Sequence, residues 1–125
     1  MKRLLIGLLA LGSLSAFANP VNLLGCQSDN KFVHVRVLEN ETLDVTVTTG
    51  SYDYGTESSA SYNTELTDDE KMMIESGSWV ISLRDHRRNE ITLSVENNSE
   101  GKLFGAGYPD FLKCQRLTDQ EVFGY

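Results

Sequence analysis

Residues 31–49 read KFVHVRVLENETLDVTVTT, and their period decides the fold. Val33, Val35 and Val37 fall on one side of an extended chain, with Phe32, His34 and Arg36 on the other. After the polar Glu39-Asn40-Glu41, the alternation resumes with Leu43, Val45 and Val47 set against Asp44, Thr46 and Thr48. A period of two in β-branched residues marks half-buried strands, and two such runs around a short polar turn form a hairpin.

The same pattern returns downstream. Trp79, Ile81 and Leu83 share a face, Asp85 to Glu90 is the turn, and Ile91, Leu93 and Val95 lead back. Asn97 to Gly101 is a further turn, and strands are expected to follow over 102–105 and 111–117. One segment departs from this period. In LTDDEKMMIESG, Thr67 stands three residues before Glu70, the capping-box spacing, and Asp68 and Asp69 suit the positive end of a helix dipole. Gly77 supplies the stop, so a helix of about two turns is expected around 68–76. It would pack Met72, Met73 or Ile74 on the sheet. Short consecutive strands with tight turns predict an all-β, mainly antiparallel meander of six to eight strands. Its inner face is hidden by closing into a small β-barrel or folding into a sandwich.

The chain opens MKRLLIGLLALGSLSAFANP, with basic Lys2 and Arg3, an apolar run from Leu4 to Leu14, and Ala16-Phe17-Ala18 as a cleavage site. This is the arrangement of a secretory signal peptide over 1–18, leaving a single exported domain over 19–125, periplasmic or extracellular. No later run approaches the roughly 18–20 apolar residues of a membrane helix. Eleven Lys and Arg, of which Lys2 and Arg3 fall in the leader, stand against eighteen Asp and Glu. The exported part thus has a net charge near −9. Such a surface excludes nucleic acid, which needs clustered cations, and adhesion to anionic lipid. It suits a monomer that meets a basic protein or an envelope ligand.

Two cysteines frame the domain. Leu23-Leu24-Gly25-Cys26 has the look of a lipobox, yet Asn19, Pro20 and Asn22 interrupt the apolar run ahead of it. Lipidation of Cys26 would strand Cys114 as an odd thiol in an oxidising space. A Cys26–Cys114 disulfide closes nearly the whole domain and is the expected state.

Two constellations qualify as binding candidates. TTGSYDYGTESSASYNTE packs Tyr52, Tyr54 and Tyr62 into eleven residues among Ser, Gly and Thr, the composition of recognition loops. RDHRRNE gathers Arg84, His86, Arg87 and Arg88 at a hairpin tip, a positive spot able to hold a carboxylate or phosphate. The structural alternatives are a hairpin whose tyrosines cover neighbouring strands, and a solvated turn balanced by Asp85 and Glu90.

Other chemistry finds no motif. Asp53, Glu57, Asp68, Asp69 and Glu70 do not form a calcium loop, and His34 and His86 lie in separate hairpins, so neither a metal nor a cofactor is expected. No nucleophile elbow, zinc-protease helix or phosphate loop occurs, and Gly105-Ala106-Gly107 reads as a turn or bulge. The expectation is a non-enzymatic binding module, with a lipid-anchored envelope component and a hydrolase as rivals.

The layout of leader, short chain, β-hairpins and a cysteine near each end is similar to the periplasmic and membrane-bound inhibitors of c-type lysozyme. That resemblance implies a small β-barrel docking into a basic lysozyme cleft. Of the family's Ser-Gly-x-x-Tyr stretch, Ser76-Gly77-Ser78-Trp79-Val80 keeps the first two residues and Ser59-Ala60-Ser61-Tyr62 the serine and tyrosine. No Phe-Trp-x-Lys-Gly follows, and no site residue is carried over.

Overall fold

The computed structural model describes residues 20–51, 56–108, 110–118 and 122–123. The expected leader and cleavage site over 1–18 lie outside the described residues. Eight antiparallel strands form a closed barrel in chain order: β1 (Val21–Gln27), β2 (Lys31–Leu38), β3 (Thr42–Ser51), β4 (Thr56–Glu65), β5 (Trp79–Arg84), β6 (Glu90–Glu96), β7 (Glu100–Phe104) and β8 (Asp110–Arg116). One helix, α1 (Asp68–Ser76), is inserted between β4 and β5. The barrel resolves the choice between barrel and sandwich that the strand pattern left open.

Alternation sets the register. Val33, Val35 and Val37 stand opposite Val47, Val45 and Leu43, and all six are buried. On the other hairpin Trp79, Ile81 and Leu83 face Val95, Leu93 and Ile91, again all buried. A slip of one residue would turn each of these sets out to water. Burying one such aliphatic side chain contributes about 2 kcal/mol, so the register is strongly held. Leu103 and Leu112 complete an interior filled by side chains, as expected for a barrel of eight strands.

On β1 both Leu23 and Leu24 are buried, which strict alternation forbids. The register against β2 shifts between Asn22 and Leu24, so a bulge turns Leu23 inward as well.

Strands β1 and β8 meet over Leu24–Gln27 and Lys113–Arg116, with Cys26 directly opposite Cys114. Their sulfurs are bonded, across a sequence separation of 88. The Cys114 N–H donates to Ser99 O at 2.8 Å, away from β1. The cysteines therefore form a non-hydrogen-bonded pair, the kind in which opposed strands approach most closely, and their Cα atoms are 4.0 Å apart.

Helix α1 is capped as its sequence dictates. Thr67 Oγ1 accepts from Glu70 N at 3.2 Å, and Thr67 N donates to Glu70 Oε1 at 2.9 Å. Gly77 ends it with a left-handed φ of 93°. Of the three expected packing residues, Ile74 is the one fully buried, while Met72 and Met73 remain exposed. Lys71 ties the helix to the β2–β3 turn through Glu41 at 2.6 Å and reaches Asp68 at 3.2 Å. The Glu41 carboxylate raises the Lys71 ammonium above its usual titration range. Near the chain's end, Val122 is buried and its N–H donates to Glu75 Oε1 at 3.0 Å, which holds that segment against the helix.

Candidate functional site

In an up-and-down barrel, alternate connections fall at the same end. The β1–β2, β3–β4, β5–β6 and β7–β8 connections share one end, while α1 and the remaining turns share the other. Both constellations singled out in the sequence belong to the first end, one at the β3–β4 hairpin and the other at the β5–β6 turn. Tyr52 and Tyr54 lie outside the described residues.

Tyr62 is not on a loop. It sits on β4 with 3 % of its surface exposed, its ring edge-on to Tyr108 at 6.4 Å. Burial, together with the neighbouring Tyr108 hydroxyl, raises its titration well above the usual phenol range and keeps it neutral. Lys31 lies 5.7 Å from the Tyr108 ring centroid and pairs with Asp110 at 3.3 Å. These groups form a closed polar and aromatic cluster at the barrel mouth. Tyr62 is thus enclosed within the barrel rather than presented to solvent.

The arginine turn is organised from within. Asp85 accepts from Arg87 N at 2.8 Å, Asn89 N at 2.8 Å and Asn89 Nδ2 at 2.9 Å. These bonds, led by that from the Asn89 side chain, hold the Asp85 carboxyl below its ordinary range. Arg84 stands at the end of β5 and binds Glu90 Oε1 through Nε and Nη2, each at 3.2 Å. His86, Arg87 and Arg88 are exposed around the tip. The turn thus brings three side chains to solvent and commits Arg84 to its neighbour. The turn after β7 brings Gly105 close to the same hairpin, where a Cβ would lie 2.5 Å from the Glu90 carbonyl oxygen. Gly105 also has φ +89°, so only glycine fits there without strain.

A second surface lies around the wall, where the outward positions of β5–β8 line up. Val80 is opposite Ser94, Ser94 opposite Lys102, and Lys102 opposite Phe111. Val80 is 59 % and Phe111 73 % exposed, so two large apolar groups stand in water at the ends of one row. The small Ser94 lies between them. Met73, at the C-terminal half of α1, extends the Val80 side, and the whole forms a groove of about 590 Å³. Lys102 Nζ is 5.5 Å from the Phe111 ring centroid. One step along the strands, Glu96 is directly opposite Glu100 and Glu100 opposite Lys113. Lys113 Nζ is 3.9 Å from Glu100 Oε2, with both side chains largely in solvent.

None of these groove residues is among the binding candidates of the sequence, and Met73 appears there only as a packing residue of the helix. A signal was present: Val80 and Phe111 are apolar at positions out of phase with the buried Trp79, Ile81 and Leu112. Among the described residues no group of three or more His, Cys, Asp and Glu side chains is placed to hold a metal ion. None of their helices is long and apolar enough to cross a membrane. Set against family models, curated proteins and solved structures, the chain matches none.

Proposed function

We propose that this chain is a non-enzymatic binding module, exported to an oxidising compartment, that meets its partner on the outside of the barrel. The observation that carries the reading is the β5–β8 groove. The interior is filled by its own side chains, whereas Val80 and Phe111 stay exposed around a concave outer surface. Large apolar groups gathered on a surface cost solvation and mark contact sites when they line a cleft. The loops at the barrel mouth, with Arg87 and Arg88 exposed, form a second contact region on this reading.

Export draws on the leader sequence and on the Cys26–Cys114 bond, since structural disulfides persist outside the reducing cytosol. A lipid anchor would require the Cys26 sulfur, which that bond occupies. A hydrolase of the two-carboxyl type would hold its pair in a deep pocket. Glu96 and Glu100 do face each other, but on the outer wall, with both side chains exposed.

The test is retention of envelope proteins on the immobilised domain, compared between wild type and a Val80→Asp/Phe111→Asp variant. The reading expects the variant to lose what the wild type retains while melting at the same temperature. Equal retention by both would move the site off the groove, and repeated failure of the wild type to retain anything would remove the reading.

A narrower second reading is inhibition of a c-type lysozyme. It is favoured by the closed barrel with its first and last strands joined through cysteines and by the acidic composition. Stoichiometric slowing of lysis by such an enzyme supports it, and undiminished lysis at excess protein dismisses it.

A further inference from the structure

We infer that the β5–β8 groove takes a segment of a basic partner protein in which an apolar side chain is flanked by Lys or Arg; this rests on the binding-module reading and adds the chemistry of the partner. The apolar half of the requirement comes from the row Val80–Ser94–Lys102–Phe111. Its two large side chains stand at the ends of the row with Ser94 and Lys102 between them, and the short serine leaves the groove open beside Val80 for an apolar group. Lys102 already covers the Phe111 face, its Nζ 5.5 Å from the ring centroid, so Phe111 serves the apolar half and the cations of the segment are left to Glu96 and Glu100.

The charged half comes from Glu96 and Glu100. Like charges directly opposite on neighbouring strands destabilise a sheet, and here they stand side by side at the edge of the groove. Glu100 has Lys113 at 3.9 Å, a long and exposed pairing that returns little energy. Glu96 has no ion pair among the described residues. A guanidinium or ammonium arriving between the two carboxylates would relieve their repulsion and gain charge-assisted hydrogen bonds. The field of the whole domain, with its net charge near −9, draws in a cationic partner and opposes a second copy of the same chain.

The experiment is an NMR titration of the purified protein with three synthetic hexapeptides: Arg-Gly-Leu-Phe-Gly-Arg, the same with Glu for both Arg, and the same with Ser for Leu and Phe. The first should shift the amides of Val80, Ser94, Lys102 and Phe111, and the other two should not. A Glu96→Gln/Glu100→Gln variant should bind the first peptide at least about tenfold more weakly, and added salt should weaken the wild type towards the variant. Both glutamates are exposed, so the variant should fold as the wild type does, which its amide spectrum will show.

Equal binding of the Glu-containing peptide, or no loss in the variant, would overturn the charged half while leaving the groove as a contact site. Shifts confined to other parts of the barrel, or none at peptide saturation, would overturn the inference as a whole. Movement of the Phe111 and Val80 amides with protein concentration alone would name a second copy as the occupant, and would also overturn it. The groove itself is judged separately, by the Val80→Asp/Phe111→Asp retention experiment.

Discussion

Two joints of this barrel are built in opposite ways. Where β1 meets β8, the chain ends are far apart in sequence, and four consecutive register positions are reinforced by the Cys26–Cys114 bond. Where β4 meets β5, the strands are nearly consecutive, yet they share only the Asn63–Arg84 pair. Helix α1 links these two strands, packs against β5, sinks Ile74 into the core and anchors Lys71 on Glu41. A covalent tie serves where loop closure is costly, and a packed helix suffices where the chain itself keeps the neighbours near.

The contrast reaches down to single amides. Gly50 N donates to Asn30 O at 3.1 Å, towards β2, so its partner on β4, Glu57, points its backbone groups away from β3. With strand alternation, Ser59 and Ser61 point the same way, onto an edge that no strand among the described residues covers before Asn63. Across the barrel, Cys114 N turns to β7, so Lys113 and Gln115 turn theirs to β1. One joint exposes donors and the other pairs them.

Breaking the covalent joint should have the largest effect. Cys26→Ser with Cys114→Ser is expected to cost about 4–5 kcal/mol, the chain-entropy value for a loop of this length. Urea denaturation measures it, and a loss below about 1 kcal/mol would mean the ladder alone holds the ends. Next comes the helical joint, where Ile74→Ala should cost about 3 kcal/mol through the cavity it leaves. Thr67→Ala, which removes half of the capping box, should cost about 1 kcal/mol by the same measurement.

The smallest effect concerns the turn that ends β5. Because Asp85 titrates below its ordinary 3.8, its bonds support the turn fully above that value and fade as pH falls through the depressed one. In Asn89→Ala the Asp85 midpoint should climb back towards 3.8, as followed by carboxyl NMR shifts. An unmoved midpoint would assign the depression to the backbone donors alone.

These joints also show what could be read in the residues beforehand. Dense β-branched alternation over 31–47 and 79–95 announced four strands, and Thr67, Glu70 and Gly77 announced the helix at its observed bounds. The closing disulfide followed from two cysteines, one near each end. Strand β4 was harder, because its inward residues include Ala60 and Tyr62 amid serines and threonines with weak apolar contrast. Its strand state comes from ten register positions with β3, a tertiary cause that local composition does not carry. Tyr62 therefore read as a loop residue until pairing set its direction. The bulge at Leu23 was equally hidden, being a property of the ladder. For the groove, Val80 and Phe111 were legible as misplaced apolar residues, but their alignment in one row needed the register of four strands.

Residue-resolved hydrogen exchange in the native protein, before and after reduction, examines both joints together. Lys113 and Gln115 should exchange only with global unfolding while the disulfide is intact and lose protection on reduction, and Ser59 and Ser61 should exchange rapidly in both states. Strong protection at Ser59 and Ser61, or Lys113 and Gln115 unaffected by reduction, would contradict a barrel held by one covalent joint and one helical joint.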